Sequence, residues 1–360
     1  MQMTLFQALF LGLLQGVAEL FPISSLAQTI LVPALLGWKF AQEDYLAFVV
    51  ALHLATAVAL VIYYRKDWIA VVTAFAGCLT HRKLVYDRQS KFAWLLVAGT
   101  VIVGAAGLAG EKRIRTLFDD PGLAWAVGAI LVANGFFMIF GDYVKRRAAR
   151  RNPTEPEHVP GPTGADAAVH AAFLGRPMTS TVAAGATDVA PRYAKRAEDL
   201  SFTEATLVGA AQTAALLPGI SRSGVTIVGG LFAGLTYEEA TRFSFMLATP
   251  VIGLAAILKV PKLIKPPAGL TPHQLELFHD TQKLALYASG VAFVAAYLSV
   301  KFLVRYFHSN RLSPFGYFCI AFGLFAAVWL KMYPEQNQPA QPVGETGSSQ
   351  VIQQDAPTSR

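Results

Sequence analysis

Between Leu207 and Leu235 the chain is apolar almost throughout, yet Arg222 stands in the middle, just after a Pro218-Gly219 pair. A charge at the centre of a membrane helix costs roughly 2.5–3.5 kcal/mol or more, so such residues face a protein-lined cavity and are functional by default. Pro218 and Gly219 break the helix ahead of the arginine. Broken helices occur at membrane depth where the backbone lines a cavity, and their freed N–H groups, here from Gly219 onward, point at an anion. Arg222 adds a planar fork suited to phosphate oxygens. Ser221, Ser223 and Thr226 add hydroxyls. The stretch reads as a phosphate site built inside a membrane. The plainer alternative is a hinge, with Arg222 paired to a carboxylate for packing alone.

Composition agrees with the membrane. Of 360 residues 54% are hydrophobic and 15% charged, against about 25% charged in a soluble domain. The net charge of +7 comes from basic residues clustered in short loops beside apolar runs. That pattern sets membrane orientation and argues against a nucleic-acid partner. Cys78 and Cys319 each lie in an apolar segment. They offer no disulfide framework or metal spacing and read as packing residues. The first 25 residues lack a basic leader and an A-x-A-like site, so they are not read as a cleaved signal.

The expected fold is all-α and polytopic, with about six transmembrane helices and two re-entrant helical hairpins in an inverted-topology repeat. The first repeat is 1–143. Its hairpin, 4–37, consists of two apolar pieces too short to cross alone, with Gln15 and Glu19 in the first arm and Pro22 at the tip. Spans are expected at 46–64, 93–110 and 122–143, with 68–80 lying at the interface. Residues 111–121 read as a mixed-charge loop. Residues 144–200 read as a mostly disordered linker, rich in Pro, Gly, Ala and Thr. The second repeat, 201–333, holds the hairpin 202–235 and spans at 239–260, 284–306 and 313–331, with 261–283 a loop. A disordered tail, 334–360, follows. Basic clusters place 65–92 and 144–200 in the cytoplasm and 111–121 and 261–283 outside.

The halves echo each other. Gly12-Leu-Leu-Gln15 and then Pro22-Ile-Ser24-Ser25 resembles Gly209-Ala-Ala-Gln212 and then Pro218-Gly-Ile-Ser221. An inverted repeat puts its site at the midplane where the broken elements face each other, so Glu19, Ser24 and Ser25 are expected to meet Ser221, Arg222, Ser223 and Thr226. Glu19 is a candidate general base, cation ligand or ion-pair partner of Arg222. Gln15, one turn earlier, shares its face and would orient a water, a ligand or the carboxylate, or simply bridge helices. Ser24 and Ser25 read equally as helix caps and phosphate binders. Gln28 lies on roughly the same face as the serines. His53, in an apolar span, reads as a helix–helix hydrogen bonder rather than a catalyst.

Gln15-Gly-Val-Ala-Glu19-Leu-Phe-Pro22-Ile-Ser24-Ser25 resembles the first signature of the undecaprenyl-pyrophosphate phosphatases of the bacitracin-resistance type. Leu217-Pro218-Gly219-Ile220-Ser221-Arg222-Ser223-Gly224-Val225-Thr226 is similar to their second, and Phe243 to Pro250 to the span that follows it. The resemblance implies an enzyme of the bacterial inner membrane that works at its outer, periplasmic face. Such an enzyme removes the terminal phosphate of a C55 polyprenyl pyrophosphate, recycling the lipid carrier of cell-wall synthesis and conferring bacitracin resistance. It further implies a divalent cation, Mg2+ or Ca2+, held in part by Glu19. In that reading Glu19, Gln15, Arg222 and Ser25 are catalytic, and Ser24, Ser221, Ser223, Thr226, Gly219 and Gln28 bind substrate. The partners are the polyprenyl pyrophosphate and the bilayer, with a homodimer left open. The sequence departs from the family at one place: Ala27-Gln28 stands where the signature has Gly-His. Glutamine cannot serve as nucleophile or take a proton near neutral pH. A competing expectation is therefore a carrier that moves a polyprenyl phosphate across the membrane without chemistry, since inverted repeats with broken helices also build transporters.

Overall fold

The computed structural model describes residues 3–40, 42–118, 121–151, 195–266, 269, 271–308 and 310–334. These residues form eleven α-helices and no strand. The order is α1 (Leu5–Ala18), α2 (Ser25–Leu35), α3 (Gln42–Tyr63), α4 (Arg65–His81), α5 (Arg88–Phe118) and α6 (Ala124–Arg151). After residues outside the description come α7 (Phe202–Gln212), α8 (Arg222–Phe232), α9 (Tyr237–Ile264), α10 (Pro272–Phe307) and α11 (Ser313–Met332). The protein is a polytopic all-α membrane protein.

Two pairs of helices are too short to span. α1 and α2, of 14 and 11 residues, are separated by the turn at Glu19–Ser24. α7 and α8, of 11 residues each, are separated by a 3-10 turn at Thr213–Leu216 and the Pro218-Gly219 break. Each pair begins with a capping box, Thr4 with Gln7 and Ser201 with Glu204, which satisfies two orphan backbone donors reciprocally. Inside each hairpin a serine caps the second helix: Ser24 accepts from Ala27 N and Ser221 from Gly224 N. Gly219 has φ +107, and a Cβ there would meet Ile130 and the Val127 carbonyl at 2.8 Å. The sharp turn thus presses against α6 and leaves no room for a side chain.

Four helices are long and apolar enough to cross a membrane among the described residues: α5, α6, α10 and α11. α3 with α4, bent by 82°, makes a fifth candidate if the pair is taken as one span. α9, the remaining helix read as a span, has 28 residues, about 42 Å at 1.5 Å per residue. Its first turns carry a polar knot. Arg242 donates to Asp67 of α4 at 2.6 Å and to Glu198 at 2.7 Å, and lies over the Phe92 ring.

Small residues set the closest helix crossings. A Cβ on Gly135 would lie 2.5 Å from the Gly316 carbonyl, and one on Gly128 2.7 Å from that of Gly323. α6 and α11 therefore run backbone against backbone, as small residues allow in membranes. Gly12 and Gly16 of α1 likewise meet the Ala288 and Ala292 carbonyls of α10, and Gly209 of α7 meets Gly99 of α5.

Three loop expectations change. Residues 111–118 continue α5, because no Gly or Pro follows Gly110 until Pro121. Most of 261–283 is helical too: α9 runs to Ile264, and Thr271 with Gln274 caps α10 from Pro272 onward. α6 continues through 144–151, where Lys, Arg and Ala are good helix formers. At the other end of the supposed linker, Ala197 N donates to Glu239, and Asp199 pairs with Arg88. The rest of that linker, 152–194, and the tail from 335 lie outside the described residues.

Candidate functional site

The two hairpin turns meet. Glu19, at the end of α1, is buried and receives four neighbours on its carboxylate. Ser25 Oγ donates to Oε2 at 2.6 Å, and Gln15 Nε2 donates to the same oxygen at 2.8 Å. His53 Nε2 of α3 lies 3.3 Å from Oε2. Arg222 Nη2, at the first turn of α8, binds Oε1. A buried carboxylate and a largely buried arginine thus pair across 203 positions of sequence, which offsets much of the cost of burying either alone.

The short helices explain why these groups converge. Both α2 and α8 begin at the meeting point, so their first N–H groups and the positive ends of their dipoles face it. This is a ready anion site, since helix starts bind phosphate through backbone N–H and dipole together. Ser24 reaches it in an unusual conformation, φ 61, uncommon for a non-glycine residue. Its hydroxyl accepts from Ala27 N, so Ser24 is the cap while Ser25 is left to address Glu19.

The remaining expected residues are placed differently. Ser221 Oγ caps α8 and lies 3.2 Å from Ser223 Oγ, which reaches the Phe21 carbonyl at 3.4 Å. These two serines tie one hairpin turn to the other. Thr226 turns away, bonding the Arg222 carbonyl at 2.9 Å and Ser244 of α9 at 2.5 Å. Gly219 shapes the turn. Gln28 is buried, and its Nε2 donates to the Ile23 carbonyl at 3.1 Å. It braces the first turn and does not touch Glu19 or Arg222. The helix break leaves Ile23 without an intrahelical donor, and the nearest amide takes it.

Sequence reasoning read His53 as a helix–helix hydrogen bonder, as its contact with Glu19 bears out, and gave Gln212 no role. His53 sits against Glu19 because α3 crosses α1; its position in an apolar span was the available signal. Gln212, the counterpart of Gln15 in the second echo, is 1% exposed, and neither of its amide atoms has a partner. Gln15 Oε1 and Arg222 Nε are also buried without one. Buried polar atoms without a partner call for a ligand or water.

A family model described as bacitracin resistance protein BacA matches residues 8–325. The chain belongs to the BacA family. Curated relatives match over most of their length. An undecaprenyl-diphosphatase 2 of Frankia alni is 40% identical over 352 residues, covering 91% of this chain and 98% of the relative. An undecaprenyl-diphosphatase of Mycolicibacterium paratuberculosis is 39% identical, covering 91% and 97%. An undecaprenyl-diphosphatase 1 of Burkholderia pseudomallei is 38% identical, covering 92% and 99%. The BacA match spans both hairpins, so the Glu19–Arg222 cluster lies within it.

Proposed function

We propose that the protein is an undecaprenyl-diphosphatase, removing the terminal phosphate of undecaprenyl pyrophosphate to leave undecaprenyl phosphate and inorganic phosphate. The names of its relatives support this reading of the substrate. The observation that carries the chemistry is the hydrogen bond from Ser25 to Glu19 at 2.6 Å, with Arg222 on the same carboxylate. A hydroxyl already bonded to a buried carboxylate is the arrangement of a nucleophile and its base.

In this mechanism the terminal phosphate enters between the starts of α2 and α8. Arg222 turns its fork to the phosphate oxygens, and the helix N-termini add N–H donors. Glu19, released from Arg222, takes the Ser25 proton as Ser25 Oγ attacks phosphorus. The bridging P–O bond breaks, and undecaprenyl phosphate leaves with the bridging oxygen. Water then hydrolyses the phosphoserine, releasing phosphate and restoring the Ser25 hydroxyl. Preorganised positive groups around the phosphoryl oxygens stabilise the charge that grows there.

A divalent cation fits the residues present. Gln15 Oε1 is a buried oxygen with no partner, beside the Glu19 carboxylate. Among the described residues no group of three His, Cys, Asp or Glu could hold a metal. Mg2+ is commonly bound by one or two protein oxygens plus substrate phosphates. Bound there, it would neutralise phosphate charge.

The two halves form an inverted-topology repeat in the bacterial inner membrane, with the cavity opening to the periplasm. The repeated order of a hairpin followed by long helices supports the repeat. The basic residues flanking the spans support the orientation. A cysteine at Gln274 is then labelled from outside and one at Arg82 is not.

The deciding assay gives purified protein in detergent a C55 or C15 pyrophosphate. Phosphate release is expected from the wild type and none from Ser25→Ala, and a phosphoserine at 25 is expected on rapid quenching. Absence of phosphate release from well-folded protein would sink the phosphatase reading and leave lipid carriage.

A further inference from the structure

We propose that Asn134 of α6 and Cys319 of α11 are a positioning pair that holds the two hairpin turns in register. The proposal rests on the phosphatase reading for what the register serves, and on the geometry alone for the register itself.

Ser221 N donates to Asn134 Oδ1 at 3.0 Å. Asn134 Nδ2 donates to Cys319 Sγ at 3.7 Å, and Cys319 Sγ donates to the Pro22 carbonyl at 3.7 Å. The three bonds run head to tail from one turn to the other. All their side chains are sealed: Asn134 is 1% exposed and Cys319 0%. Hydrogen bonds in such a chain polarise one another in a low-dielectric interior.

The two ends of this chain are backbone groups that a helix break exposes. Ser221 precedes Arg222 at the start of α8, and Pro22 lies between Glu19 and Ser25. A backbone group without a partner at membrane depth costs several kcal/mol. Each turn therefore needs a polar side chain from outside its own hairpin. Asparagine and cysteine each offer a donor and an acceptor, which lets one pair serve both turns. The contact forms because Gly135 and Gly316 bring α6 and α11 together; a Cβ on Gly135 would lie 3.1 Å from Cys319 Cβ.

The consequence is positional. Arg222 and Ser25 reach opposite oxygens of one carboxylate from different halves of the chain. A displacement of about 1 Å can cost on the order of 100-fold in rate. A pair that merely packs would alter stability. A pair that sets register alters turnover per folded molecule.

Two readouts separate these roles. Cys319→Ala removes both sulfur bonds, whereas Cys319→Ser restores a donor and an acceptor. With a C15 pyrophosphate, kcat of Cys319→Ala should fall about 10- to 100-fold while KM changes much less, and Cys319→Ser should recover most of it. Hydrogen–deuterium exchange should quicken in Cys319→Ala in peptides covering both turns, 19–25 and 218–224, and return to the wild-type rate in Cys319→Ser. If Cys319→Ala does not fold, Asn134→Asp is read in the same way, since it keeps the acceptor for Ser221 and loses the donor to sulfur. Unchanged exchange at either turn overturns the pairing, and so does a serine variant as slow as the alanine one. A wild type that releases no phosphate counts against the phosphatase reading instead, and the exchange measurement still decides the pairing.

Discussion

His53 Nε2 lies 3.3 Å from Glu19 Oε2, while the other ring nitrogen lies 2.8 Å from the Val49 carbonyl of its own helix. The ring thus lies between two oxygens and ties α3 to α1. Hydrogen bonds to charged groups contribute about 1.5–3 kcal/mol. His53→Leu should therefore lower kcat by roughly 10- to 100-fold at 1.4 kcal/mol per decade, and His53→Gln, which keeps a donor, by less. Steady-state turnover at saturating substrate reads this directly; a leucine variant with wild-type kcat would make the contact idle.

Arg222 separates charge from shape. Removing one partner of a buried ion pair leaves the other uncompensated and typically costs 3–5 kcal/mol. Arg222→Ala should lose both turnover and thermal stability. Arg222→Lys keeps the charge beside Glu19 and should recover much of the stability, yet little of the turnover, because the fork is gone. Thermal unfolding and phosphate release, measured on both variants, test the split. Full activity in the lysine variant would reduce Arg222 to a point charge.

Gln212 makes no hydrogen bond through its amide and is 1% exposed. A buried unsatisfied amide costs about 1–3 kcal/mol, so Gln212→Leu should leave the ligand-free protein as stable as the wild type or more so. If the amide awaits the pyrophosphate, KM should rise by about 10- to 100-fold, the loss of one hydrogen bond to a charged group of roughly 1.5–3 kcal/mol. An unchanged KM would assign Gln212 to an internal water.

Gln28→His should leave turnover within a few-fold of the wild type. Position 28 addresses the Ile23 carbonyl, not Glu19, so a histidine there meets a backbone oxygen. A large gain in kcat would show that the second arm can turn its side chain into the cluster.

Arg242 offers a control whose ion pairs are with residues outside the Glu19 cluster. It holds Asp67, Glu198 and Glu239 together, and Arg242→Leu strands three carboxylates. Thermal stability should drop sharply, while activity per folded molecule stays near the wild-type value.

The hairpins were legible because their signals are local: a charge within an apolar run, and Pro or Gly where the run breaks. Glu19 and Arg222 were legible for the same reason, since a buried charge needs an opposite one. The positions of Thr226 and Gln28 were not. Each side chain serves whichever backbone carbonyl or neighbouring hydroxyl lies nearest after the break, and spacing along a helix does not reveal that. His53, Gln212, Asn134 and Cys319 take their meaning from helix crossings, set by glycines such as Gly135 and Gly316 whose partners lie far away in sequence. The helical extension at 111–118 was masked by its charges, which suggested a loop although no proline interrupts the chain before Pro121.

The 203-position separation of Glu19 and Arg222 also sets a schedule. Ribosomes add about 5–20 residues per second, so Glu19 is made some 10–40 s before its counter-charge exists. Throughout that interval a lone carboxylate would have to sit in hydrocarbon if the first hairpin were already in place. The nascent hairpin must therefore wait near the lipid headgroups or beside the insertion machinery, and seat itself only after the second has been made. Truncated chains ending before Arg222 should accordingly hold Glu19 within reach of water-soluble reagents, and full-length chains should not.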